Sequence, residues 1–257
     1  IFGQPYNQEI NELAKKHGLK VIEDCAQAPY AKYKDKFAGT LGDIGIYSLN
    51  YHKHIHCGEG GIIVTNNDEL ADRLRLIRNH AEAVIENKSK EEGITPNLSN
   101  MFGYNLRMTE IEAAIAREQL KKLPYLVKER IKNIKYIESK LSDIDFLKMT
   151  KIRQDCTHSY YVHTFLYDKN ITGIHRDKFV EAIKAELMPV KIREKEGIIV
   201  GSGYVRPLYL LPMYQNKIAY GSKGFPWSMS EKEYNYNKGI CPICEDLHYN
   251  KLITHEY

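Results

Sequence analysis

Within the first two dozen residues a helix-forming run passes into a short apolar run across a single glycine, and few architectures accommodate that spacing. Asn7 is positioned to cap a helix whose apolar positions Ile10, Leu13 and Ala14 recur at helical spacing, and His17-Gly18 reads as its end. Lys20 to Ile22 follows as a short buried strand. A helix that feeds a strand so directly is half of an α/β unit. Asp24 then falls at the carboxyl end of that strand, the edge on which open α/β sheets place their ligands.

The same alternation continues. Phe37 to Asp43 is a glycine-bearing connection, Ile44 to Tyr47 a second strand and Gly61 to Thr65 a third. Asn66-Asn67-Asp68 turns the chain and caps a helix running from Glu69 to about Arg78. Residues 82–100 are polar and broken by glycine and proline, which reads as a loop. Thr109-Glu110-Ile111-Glu112 fits a capping box, and Pro124 breaks the helix it opens or starts the next, which reaches about Leu141. Beyond it come strands from Tyr160 to Tyr167 and a helix from Arg176 to about Leu187. The expected organisation is an α/β domain over residues 1–141, closed by a long bridging helix, and a smaller α+β domain over residues 142–257.

A net charge of +4 without basic runs interleaved with stacking aromatics gives no reason to expect a nucleic-acid partner, and no apolar run reaches membrane-spanning length. The five cysteines lack the density of a disulfide scaffold, which fits a reducing, cytoplasmic setting. Ile1 takes the place of an initiator methionine, and the opening Ile-Phe-Gly-Gln-Pro reads as the tail of a strand, so the chain is expected to be a fragment.

Chemistry concentrates between Ile22 and Gly61. Lys53 lies on the connection between the second and third strands, just before the glycine turn Gly58-Glu59-Gly60-Gly61. A lysine held in a desolvated site becomes a nucleophilic amine able to form a Schiff base. Asp24 is either the carboxylate that keeps a proton on a pyridine-type ring nitrogen or a cap for the turn after its strand. Gln27 donates to a ring hydroxyl or satisfies backbone, and Ser48 binds a phosphate or ends its strand. His52, His54 and His56 alternate around Lys53, but no second cluster with ligand spacing supports a metal site. Cys241-Pro242-Ile243-Cys244 is a single C-x-x-C without a second pair, for which packing is the expected role. Tyr204 to Tyr214 is either a substrate-lining loop or an aromatic packing segment.

Taken jointly, Glu23-Asp24-Cys25-Ala26-Gln27, Leu41-Gly42-Asp43, Tyr47-Ser48, Lys53, Gly58-Glu59-Gly60-Gly61 and Tyr104-Asn105-Leu106-Arg107-Met108-Thr109-Glu110 resemble the sugar aminotransferases of the DegT/DnrJ/StrS group. These are fold-type I pyridoxal-phosphate enzymes, so the resemblance implies a large domain with a mixed, mostly parallel sheet flanked by helices and a smaller C-terminal domain. It also implies Lys53 as the Schiff-base lysine, Asp24 as partner of the ring nitrogen, Gln27 as a ring-hydroxyl contact and Ser48 as a phosphate ligand. Asn105 is implied to reach the phosphate of the neighbouring subunit's cofactor, making the enzyme a homodimer with shared sites. Two departures from the family pattern are Pro29-Tyr30 after the glutamine and Leu49-Asn50-Tyr51-His52 between Ser48 and Lys53.

The implied function is transfer of an amino group from an amino acid, expected to be glutamate, to a nucleotide-linked keto sugar in polysaccharide or antibiotic-sugar synthesis. Relatives that remove a hydroxyl instead carry histidine at the lysine position, and Lys53 points to transamination. The alternatives are a catalytically silent or regulatory relative that binds a sugar nucleotide, and a metal-binding module built on His52, His54 and His56. Further phosphate ligands and a ring-stacking aromatic lie upstream in the family. The chain alone is therefore expected to bind the cofactor poorly and to be inactive.

Overall fold

The first helix, Gln8–Lys16 (α1), ends at Gly18, which takes the left-handed conformation (φ +63°) that a β-carbon disfavours. The computed structural model describes residues 3–6, 8–81, 101–187 and 199–256. Asn7 and residues 82–100, read above as a helix cap and a loop, lie outside the described residues. The chain falls into two compact units, residues 1–134 with 152–161 and residues 135–151 with 162–257. A cut at 142 differs from this division in two ways: the last turns of the long helix go with the second unit, and residues 152–161 go with the first.

In the first unit, strand β1 spans Ile22–Asp24, two residues later than the apolar run suggested. It is not buried along its length: Ile22 and Asp24 are exposed while Glu23 faces inward. Hydrogen bonding fixed the register here, with Val21 N–H donating to the Asp43 carboxylate at 2.9 Å before the ladder begins. Next comes a hairpin, Lys32–Tyr33 (β2) and Lys36–Phe37 (β3), followed by Ile44–Ser48 (β4) and Gly61–Val64 (β5). β1 pairs parallel with β4, and β4 pairs antiparallel with β5. The hairpin turns on Lys34 and Asp35, both with positive φ (45° and 64°), the mirror-image turn usually given to Asn-Gly. Cys156–Thr157 (β7) joins the other edge of β2 from far along the chain.

Helix α2, Asp68–Arg78, is capped by Asn67, whose side chain accepts the Leu70 N–H at 2.9 Å. Helix α3 runs unbroken over Glu110–Leu141, with the Thr109–Glu112 capping box closed in both directions. Pro124 neither ends this helix nor starts another, because it sits on the exposed face between the buried Leu123 and Val127. The carbonyl it leaves unpaired can turn to water while the core holds the turns on either side. Leu123 and Val127 pack with Leu49, Ile55, Cys57 and Ala116.

The second unit is a four-stranded antiparallel sheet in the order β6-β8-β10-β9, where β6 is Leu147–Met149, β8 His163–Tyr167, β9 Ile199–Ser202 and β10 Leu252–Glu256. A short helix, Lys169–Thr172 (α4), leads to Arg176–Glu186 (α5), whose Val180 packs with Phe165, Tyr167, Val200 and Ile253. Arg176 is buried and offers its guanidinium to the His248 and Tyr249 carbonyls at 3.1 and 3.0 Å, closing a turn that leads into β10.

Candidate active site

The parallel register places Asp24 opposite Ile46, so both strands deliver their next residues to the same carboxyl edge. Asp24 is exposed there and accepts the Ala26 N–H at 3.1 Å. Ser48 ends β4 two residues beyond Ile46, and its Oγ accepts the Asn50 N–H at 3.2 Å. Gln27 follows β1 and is half-buried.

Pleating sends the neighbouring carboxylate the other way. Glu23 is buried, and Oε1 accepts the Leu41 and Gly42 N–H groups at 2.7 Å each while Oε2 accepts Gly39 N–H at 2.8 Å. It thereby anchors the 39–42 turn beneath the edge that carries Asp24. Gly39 (φ +92°) and Gly45 pack backbone to backbone, and the Tyr47 hydroxyl donates to the Ala38 carbonyl in the space that a β-carbon on Gly39 would fill. Burial pushes the Tyr47 hydroxyl up to about 12. Burial, then the nearby Glu23 and Asp24 charges, also raise the Cys25 thiol to about 12, so it stays protonated. Sequence reasoning missed Glu23 and Tyr47; strict two-residue alternation through Ile22-Glu23-Asp24 is the signal that would have turned Glu23 inward.

The connection from β4 to β5 is built on its own backbone. Leu49 N–H donates to Gly60 O at 2.8 Å, Cys57 N–H to Leu49 O at 3.2 Å, and Lys53 N–H to Asn50 O at 2.9 Å. Gly58 and Gly60 have φ of +97° and +158°, and Met108 closes over Gly60. Lys53 is half-buried, with Nζ 4.6 Å from the centre of the Tyr161 ring. Its amine is thus engaged with an aromatic face that the sequence did not single out.

His54 is buried and bonded through Nε2 to the Ser159 carbonyl at 2.8 Å. Burial, then Arg130, lower its pKa to about 4, so near neutrality it is an uncharged Nε2–H donor. His52 and His56 are exposed, and among the described residues no group of three or more His, Cys, Asp or Glu side chains is placed to hold a metal. Tyr30, one of the unusual residues after Gln27, has φ +65° and packs on Phe37 with ring centres 5.3 Å apart.

Asn105 is exposed. It forms a bridge to Asn79 at the end of α2, where Tyr104 N–H donates to Ile77 O and Leu106 N–H to Arg78 O. Phe102, Tyr104 and Leu106 on the same strip are exposed, Phe102 to 92%.

The model of the DegT/DnrJ/EryC1/StrS aminotransferase family matches residues 1–245. The chain belongs to this family. An uncharacterised protein of Methanocaldococcus jannaschii is 31% identical over 219 residues, 85% of this chain and 54% of its own length. The spore coat polysaccharide biosynthesis protein SpsC of Bacillus subtilis is 27% identical over 238 residues, 92% of this chain and 59% of its own. Among solved structures, DesV of S. venezuelae in complex with a ketimine intermediate aligns at TM-score 0.72 and 25% identity, covering 98% of this chain and 57% of its own. The chain spans about half the length of the curated relatives it matches. Its fold class, an α/β fold-type I aminotransferase architecture, is the one expected from the sequence.

Proposed function

We propose that the protein is a pyridoxal-phosphate-dependent aminotransferase that moves an amino group from an amino acid, with glutamate as the expected donor, onto a nucleotide-linked keto sugar. One observation carries the reading: in a chain of an aminotransferase family, Asp24 stands at the carboxyl end of β1 beside the strand that ends at Ser48 and leads into the Lys53 connection. SpsC, named for polysaccharide biosynthesis, and DesV, solved with a ketimine, support it.

The donor set fits the cofactor chemically, with one carboxylate for a protonated ring nitrogen, one hydroxyl for a phosphate and one primary amine for an aldehyde. When bound, pyridoxal phosphate supplies an electron-poor ring that takes up the electron pair released as a substrate carbon loses its proton. Asp24 holds the proton on the ring nitrogen, and Glu23 keeps the turn below it in place. Ser48 donates its Oγ–H to the phosphate, and Gln27 donates to the ring hydroxyl. The Lys53 amine, once free of the Tyr161 ring, would move the proton between the substrate carbon and the cofactor's aldehyde carbon. Asn105 serves the site of the second protomer in a cytoplasmic homodimer.

The test is amino transfer from isotope-labelled glutamate to a keto-sugar nucleotide, with absorbance titration by pyridoxal phosphate. In the full-length protein Lys53→Ala is expected to abolish transfer, and transfer retained in that variant overturns the reading. A silent relative predicts sugar-nucleotide binding with no spectral change on adding glutamate.

A further inference from the structure

In the second unit, Cys241 and Cys244 bracket the start of a short helix, Pro242–Asp246, with Cys241 as the residue before its first turn. Both thiols are exposed, whereas Cys25 and Cys57 are buried, so the packing role expected from the sequence is overturned. Cys241 has φ −127° and ψ 68°, Pro242 fixes the entry to the helix, and the Glu245 N–H donates to Cys241 O at 3.0 Å. That closed turn sets the two cysteines three residues apart, a spacing that in one turn of helix corresponds to Cα atoms about 5 Å apart. Disulfides span Cα separations of roughly 4.4–6.8 Å, so side-chain rotation can close this pair.

The residue after Cys244 joins the turn to a polar network. Glu245 is buried, and its carboxylate accepts the Tyr209 hydroxyl and the Gly239 N–H. Gln215 Nε2 donates to Tyr209 O at 2.6 Å and to Tyr236 O at 2.7 Å, and the Tyr236 hydroxyl accepts the Trp227 indole N–H at 2.9 Å. Desolvation, then the Glu245 carboxylate, push the Tyr209 hydroxyl up. Trp227 is the single tryptophan of the chain.

We propose that Cys241 and Cys244 form a reversible dithiol–disulfide site that exchanges with small-molecule disulfides such as oxidised glutathione, and that its closure is felt along the Glu245–Tyr209–Trp227 network. One cysteine thiolate attacks a sulfur of the glutathione disulfide, forming a mixed disulfide and releasing one glutathione thiolate, which takes up the proton the cysteine lost. The second cysteine thiolate attacks the cysteine sulfur of that mixed disulfide, closing Cys241–Cys244 and releasing the second glutathione with the second proton. Two protein thiols are oxidised and one glutathione disulfide is reduced to two thiols. None of this draws on the aminotransferase chemistry.

Equilibrating the protein in glutathione buffers of graded redox ratio, quenching with an alkylating agent and mapping peptides by mass tests the site, with Trp227 emission followed in parallel. Alkylation at Cys241 and Cys244 is expected to be lost together, with a peptide lighter by two hydrogens, and Trp227 emission to shift with the same midpoint. Cys244→Ser should stop at a glutathione adduct on Cys241, and Cys241→Ser at one on Cys244. Wild-type protein that accumulates both adducts without closing, or that is not oxidised at all, overturns the site. Closure with unchanged Trp227 emission overturns the coupling.

Discussion

Glu23→Gln and Glu23→Ala divide the work of one buried carboxylate between its two oxygens. Oε1 serves Leu41 and Gly42, and Oε2 serves Gly39. A glutamine can keep its carbonyl on Leu41 and Gly42, which leaves its amide NH2 facing the Gly39 N–H, donor against donor. One charge-assisted bond is then lost and one buried donor is stranded, a cost of about 2–3 kcal/mol. Alanine forfeits all three bonds. Leu41 and Gly42 are half-buried and can recruit water, so the total is about 4–5 kcal/mol and not three times the glutamine cost. Domains are stable by only about 5–15 kcal/mol, so the alanine variant should sit close to unfolding. Urea unfolding gives the totals, and native-state hydrogen exchange resolves the three amides. In Glu23→Gln, protection should fall at Gly39 and persist at Leu41 and Gly42. Equal losses in the two variants, or unchanged exchange at Gly39 in the glutamine variant, refute the assignment.

Gly39→Ala is expected to cost at least about 3 kcal/mol, because its φ of +92° is strained for alanine and the new β-carbon meets the Tyr47 hydroxyl. Thermal unfolding measures it, and adding Tyr47→Phe should restore only part of the loss, the backbone strain remaining. In the second unit, His163 and His255 are buried cross-strand partners whose pKa values burial lowers to about 4. Their folded-state values lie below the unfolded value near 6.5, so the stability they allow is complete above about pH 6.5. It drains away as pH falls through 4, reaching about 3 kcal/mol per histidine below that. Denaturant unfolding between pH 7 and 4 should show this slope, and His255→Phe should flatten it.

How much of this was legible before folding depends on the range over which each residue is satisfied. Helix caps are settled within four residues, and Asn67 and the Thr109–Glu112 box behave as their spacing implies. The β1 register was misplaced because it is set by Asp43, a residue across the sheet. The hairpin β2–β3 was invisible because its turn uses Lys34 and Asp35 in conformations normally signalled by glycine. Pro124 looked like a break because local sequence does not reveal that both neighbouring turns are held by the core. At the candidate site, the order of Asp24, Ser48 and Lys53 could be read directly, while the Tyr161 ring beside Lys53 arrives from about a hundred residues away. Cys241-x-x-Cys244 carried no local sign of exposure, and only the packing around Glu245 shows which of the neighbouring side chains turns inward.

The chain crosses between its two units three times, after residues 134, 151 and 161. Neither unit is therefore a cassette that recombination or cloning could lift out with one cut. A boundary at 142 would strip Ile137 and Leu141 from the core they serve in the second unit, and would take from the first both the strand that completes β2 and the carbonyl that fixes His54. Chimeras that exchange these units between relatives need junctions at all three crossings, and single-crossover libraries should be depleted of folded members wherever the crossover falls between 135 and 161.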